Sequence, residues 1–166
     1  MGSLILGIDP GTTLIGYGLL DFENDKPRAV DCGVIRINKK YAFQIQLQQI
    51  YQEITTLLEQ TNPQVVAIEE VYVSQNAKTT LRLGHARGVI LLAAVNQGIS
   101  ITEFSPREVK QAVCGNGNAS KQQIQWMVAN LLHLDAAGLS EDAADAMAIA
   151  LCCGLRNSSS QKAGLH

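Results

Sequence analysis

Three apolar, strand-like runs follow one another at the start of the chain: LILGID at 4–9, TLIGYGLLDF at 13–22 and AVDCGVIRI at 29–37. Only the short turns PGT and ENDKP separate them, and connections this short join antiparallel neighbours, because a parallel pair needs a crossover of a dozen residues or more. The period of the apolar residues then changes. Over 42–60, Ile45, Leu47, Ile50, Tyr51, Ile54, Leu57 and Leu58 recur at helical spacing, and Asn62-Pro63 closes the segment. VVAIEEV at 65–71 reads as a buried strand, 77–96 as a long helix stopped near Gly98, and ISITEF at 99–104 as a fifth strand.

Helices fill the rest. Ser105-Pro106 opens a short one ending near Cys114-Gly115, and Ser120 with Gln123 forms a capping box for 121–133. That helix carries an apolar face of Ile124, Met127, Val128, Leu131 and Leu132. A final helix over about 140–153 is expected to stop at Gly154, with a frayed polar tail beyond. A meander followed by helix, strand, helix, strand and helices predicts an α/β fold. Its five-stranded mixed sheet is antiparallel across strands 1–3 and parallel beyond them, flanked by helices. A chain of 166 residues, 46 % hydrophobic and 17 % charged, suits one such domain, with neither repeats nor a linker. The expected division is a domain over 1–155 and a short polar tail over 156–166.

Several function classes drop out at this level. No apolar run approaches the length of a bilayer span, and the first residues lack the pattern of a signal peptide, so a cytoplasmic address with no membrane partner is expected. Cys32, Cys114, Cys152 and Cys153 have no C-x-x-C spacing and the three histidines are scattered, which points to buried free thiols rather than zinc or disulfides. The net charge of −2 argues mildly against a nucleic-acid partner. The stretch from Lys78 to Lys121 offsets this, with Lys78, Arg82, Arg87, Arg107, Lys110 and Lys121 against Glu103 and Glu108.

The informative residues are acids set inside apolar elements, where an ionised group without a partner is costly. Asp9 ends the first strand, Glu69 and Glu70 end the fourth, and Asp142 and Asp145 stand three apart on one face of the last helix. Taken singly, Asp9 could serve a turn before Pro-Gly and Asp142 could complement a helix dipole. Alternation along a strand sends Glu69 and Glu70 to opposite faces, so one of them is a solvated bystander. If the fold crosses the last helix over the ends of strands one and four, the carboxylates converge and need cations. An all-oxygen set suits Mg²⁺ or Mn²⁺, and a pair of such ions about 3.5–4 Å apart is the arrangement for hydrolysing a phosphodiester.

GIDPGTT and GYG at 7–18, AIEEVY at 67–72, NAKTTLRLGHARGVI at 76–90, VKQAVCGNGNASKQQIQWMV at 109–128 and DAADAMAIA at 142–150 together resemble the RuvC family of Holliday junction resolvases across nearly the whole chain. The resemblance implies a ribonuclease-H-like nuclease domain. It implies crossover junction endodeoxyribonuclease activity in DNA recombination and repair: two Mg²⁺ per subunit, replaceable by Mn²⁺, and symmetric paired nicks leaving 5′-phosphate and 3′-OH ends. It assigns Asp9, Glu69, Asp142 and Asp145 as catalytic metal ligands, choosing Glu69 over Glu70 because the family's acid directly follows the Ala-Ile pair. It further implies a homodimer on a four-way DNA junction, with RuvA and RuvB as branch-migration partners. Tyr72 falls where relatives place an aromatic, which leaves base stacking and an ordinary rim tyrosine both open. Lys110 and Lys121 match basic positions of the family, and of Arg82 and Arg87 at most one can face DNA, with Arg82 taken as the contact. The chain departs from many relatives at Ile15, where they carry threonine, and in lacking a basic C-terminal run. The same IDPGTT also resembles the first phosphate motif of the actin and Hsp70 ATPases, so a nucleotide-binding fragment is one alternative reading. A catalytically silent junction-binding protein is another.

Overall fold

The computed structural model describes residues 2–163. Strands β1 (Ser3–Asp9), β2 (Leu14–Glu23) and β3 (Lys26–Arg36) form the expected antiparallel meander, and β4 (Val65–Glu69) and β5 (Ser100–Phe104) add in parallel, giving the order β3-β2-β1-β4-β5. The β2–β3 hairpin turns on Asn24 and Asp25 alone, with φ of 51° and 64°. This is the left-handed pair that a two-residue turn requires, and Asn and Asp tolerate it better than other side chains.

Alternation along the strands divides the interior into two cores. Leu6 and Ile8 of β1, Ile15 and Leu19 of β2, and Val66 and Ile68 of β4 face α1 (Phe43–Thr61) and α2 (Ala77–Asn96). Ile5, Leu20, Phe22, Ala67 and Phe104 face the opposite layer of α3 (Pro106–Cys114), α4 (Lys121–Leu132) and α5 (Glu141–Ala163). Asp9 and Glu69 fall on this second face by the same period of two, in register with Ile5 and Ala67. Because β1 and β4 run parallel, both acids emerge at the same end of the sheet.

The helix ends follow their sequence signals. Asn62 closes α1 in the left-handed conformation, Gly115 does the same for α3, and Ser105–Glu108 and Ser120–Gln123 form reciprocal capping boxes at the starts of α3 and α4. Three details differ from the sequence reading. On α4, Leu131 is exposed rather than part of the apolar face, and Cys32 and Cys114 are half-buried where only Cys152 and Cys153 are fully so. The larger difference is α5, which continues through Gly154 to Ala163. Gly154 is no terminator: a Cβ there would lie 2.2 Å from the Phe22 ring, so the glycine lets the aromatic ring lie directly against the helix.

Candidate active site

How α5 reaches the sheet decides where its acids go. Gly7, Gly16 and Gly18 stand on the strand face beneath this helix. A Cβ on Gly7 would meet the Ala146 carbonyl oxygen at 2.0 Å, one on Gly16 the Asp142 carbonyl oxygen at 2.0 Å, and one on Gly18 the Met147 backbone nitrogen at 2.9 Å. Side chains are absent from the strands at these points so that helix backbone can rest on strand backbone. The helix side of the contact is equally small, with Ala143, Ala146 and Ala150 buried. The first turn of α5 is thereby held over the C-terminal end of β1. Ser140 begins the helix, its hydroxyl accepting from the Ala143 N–H at 3.2 Å.

Asp9, Glu69, Asp142 and Asp145 therefore converge, and their charges act on one another. Burial, then the charges of Asp145, Glu69 and Asp142, push the Asp9 carboxyl from 3.8 up to about 7, against a weaker opposing pull from Lys121. Glu69 and Asp145 are likewise raised, first by burial. Glu70, next to Glu69, is exposed and takes no part.

Lys121, in the first turn of α4, pairs with Glu141 at 3.3 Å and Asp145 at 3.9 Å, and its charge favours ionisation of Asp9, Glu69 and Asp145. Lys110 of α3 acts in the same sense on Glu69 and Asp145. Both lysines expected to contact DNA thus border the acids. Tyr72 stands outside them, 80 % exposed in the loop after β4 beside an equally open Val73. Arg82 lies elsewhere again, its guanidinium 4.3 Å above the Phe43 ring. Arg87 is turned inward, donating through Nε to the Glu69 carbonyl at 3.0 Å and pairing with Glu103, so it braces the end of β4. Sequence reasoning missed Glu141, Arg87 and the three glycines. Glu141 offered a signal as an acid beside Asp142, whereas the glycines read only as ordinary strand residues.

The donors fit a hard divalent cation: they are carboxylate oxygens, partly desolvated and mutually repelling, with no thiol or imidazole among them. As they stand, no three acids, histidines or cysteines among the described residues are close enough to close around one ion. Charge coupling and the shared strand end bring the four together.

The family model for the crossover junction endodeoxyribonuclease RuvC matches residues 5–153. The chain belongs to the RuvC family. Curated RuvC proteins agree along the same length. That of Moorella thermoacetica is 46 % identical over 149 residues, covering 90 % of this chain and 89 % of the relative, and that of Natranaerobius thermophilus is 40 % identical, covering 90 % and 92 %. The structure of Thermus thermophilus RuvC in complex with a Holliday junction substrate superposes with a TM-score of 0.88 at 29 % identity, over 95 % of this chain and 96 % of that one. The ribonuclease-H-like architecture of those RuvC structures is the one described above. No described helix is long and apolar enough to cross a membrane.

Proposed function

We propose that this chain resolves Holliday junctions, hydrolysing phosphodiesters in two strands of a four-way DNA junction and leaving 5′-phosphate and 3′-OH ends. The observation that carries the reading is the convergence of Asp9, Glu69, Asp142 and Asp145 near one strand end, in a chain that matches the RuvC endonuclease family over residues 5–153. These four residues are the proposed catalytic acids and would hold divalent metal, two Mg²⁺ per subunit with Mn²⁺ able to substitute. Bound there, the metal supplies Lewis-acid polarisation of the scissile phosphate and lowers the pKa of the attacking water.

The chain's own groups do the rest. Asp9 and Glu69 are fixed by strand backbone and Asp142 and Asp145 by α5, so the ligands sit on rigid elements rather than loops. Lys121 and Lys110 offset part of the burial and repulsion that raise Glu69 and Asp145 and are placed to meet the negative charge of an approaching backbone. Hydrolysis adds water oxygen to phosphorus and releases the 3′ oxygen with a proton. Tyr72, exposed at the rim, is positioned for stacking on an unpaired base. A homodimer with two such sites matches the twofold symmetry of the junction. RuvA and RuvB remain proposed partners, and the cytoplasm the proposed location. The nucleotide-binding and silent-binding alternatives are not favoured, since the acids are complete and the relatives are nucleases.

The test is cleavage of a synthetic four-way junction in MgCl₂. The protein should make paired nicks, and Asp9→Asn should bind the junction in EDTA yet cut nothing. An Asp9→Asn protein with full activity would remove the metal assignment, and an intact wild type that neither binds nor cuts the junction would remove the function.

A further inference from the structure

A second cleft opens on the other side of the loop that follows Asp9. It has a volume of about 480 Å³ and is walled by Thr12 and Thr13 of that loop, Lys39 of the β3–α1 connection, and Thr79 and Arg82 of α2. No carboxylate lines it. Every polar wall group but one is a hydroxyl or a cation, and the hydroxyls of the three threonines engage no partner among the described residues. The remaining polar group, Gln46, is buried and acts as a brace: its amide donates to the Tyr41 carbonyl at 2.8 Å and the Lys39 carbonyl at 3.4 Å, which fixes the turn carrying Lys39. Arg82 is held from below by the Phe43 ring, itself met edge-on by His85 at 5.9 Å. Two cations from separate elements thus share a concave surface with three hydroxyls and no carboxylate, an arrangement suited to an anion with several acceptor oxygens.

We infer that this cleft is a phosphate subsite that grips the DNA strand beside the scissile bond. Its position supports the strand over a free ligand. Gly11 is two residues from Asp9, so the cleft mouth begins within about 7 Å of the acid along the backbone, close enough for a strand held at the acids to reach it with a neighbouring phosphate. Its volume exceeds what one phosphate fills and leaves room for the adjoining sugar. A grip here, on a wall independent of the acids, would fix the register of the strand rather than take part in the chemistry.

The inference rests on the proposed nuclease function, and the experiment separates the two. Junction affinity is measured in EDTA, where no cutting occurs, across a salt series and with single methylphosphonate linkages placed at successive positions around the nick site. Lys39→Gln and Arg82→Gln should each flatten the plot of log affinity against log salt by about 0.7 to 0.9. One methylphosphonate position should weaken the wild type several-fold and weaken Lys39→Gln no further. Unchanged salt slopes, or equal sensitivity of wild type and variant at every position, would overturn the inference while leaving wild-type cleavage intact. Saturable ATP or inorganic phosphate binding lost in Lys39→Gln, with junction affinity unaltered, would also overturn it and assign the cleft to a free anion. A wild type that fails to bind the junction at all would defeat the nuclease reading first.

Discussion

Replacing Asp9 with asparagine should make the metal-free protein more stable, not less. In the folded chain, burial and the neighbouring acids raise this carboxyl from 3.8 to about 7. Below about pH 3 the proton is bound in both folded and unfolded chains, so Asp9 costs nothing. As pH rises toward 7 the unfolded chain releases the proton readily and the folded chain does not, and the folded state loses ground until the folded group also ionises. At about 1.4 kcal/mol per tenfold, the rise corresponds to about 4 kcal/mol at pH 8. Solvent reaching the strand end reduces this to roughly 2 to 3 kcal/mol. Asp9→Asn removes the charge while keeping the shape. Urea unfolding in EDTA should therefore give matching stabilities near about pH 3 and a gap that widens to about pH 8 in favour of the variant. Added Mg²⁺ should stabilise the wild type and leave the variant unmoved. A gain under about 0.5 kcal/mol at pH 8, within the scatter of ordinary surface changes, would refute the proposed crowding of charge.

Gly16→Ala places a methyl group against the Asp142 carbonyl and should cost about 1–3 kcal/mol of stability; junction cleavage measured where the variant is still folded should fall further than binding does. Lys121→Gln removes the cation that favours ionised Asp9, Glu69 and Asp145, so the acidic limb of the cleavage pH profile should move to higher pH; an unmoved limb would separate the lysine from the acids. Ser120→Ala breaks the capping box of α4 and should lower stability by about 1 kcal/mol in urea unfolding. Arg87→Ala leaves the Glu69 carbonyl without its donor and should cost about 1–3 kcal/mol, with cleavage reduced in the fraction that remains folded.

Element types and order were legible because local chemistry sets them. Asn62, Ser105-Pro106 and Ser120–Gln123 act within a few residues of where they stand, and the helix and strand limits agree closely with those signals. The choice between Glu69 and Glu70 needed family resemblance, and the parity of β4 supports it, since Glu69 shares a face with Ala67 and with Asp9. What escaped was tertiary. Gly154 resembles a helix stop until Phe22 is seen lying on it, and Gly16 resembles a neutral strand residue until the Asp142 carbonyl is found where its side chain would be. Leu131 kept the apolar period yet is left exposed at the edge of the α4 packing face. Arg82 and Arg87 could be told to face differently by spacing, but that Arg87 turns inward depends on Glu103 of a neighbouring strand.

The contact of α5 with β1 also governs when the four proposed ligands can meet. Asp9 lies on an early strand, whereas Asp142 and Asp145 lie on the last helix, so a chain still emerging from the ribosome carries half of the proposed ligand set. The acids meet only when α5 has settled on the glycine floor of the sheet, a contact between segments far apart in sequence. Loss of that docking, through misfolding or a broken final segment, would separate the proposed ligands at the same moment that it exposes the sheet. A copy cut short before α5 would carry Asp9 and Glu69 but neither of the other two proposed ligands.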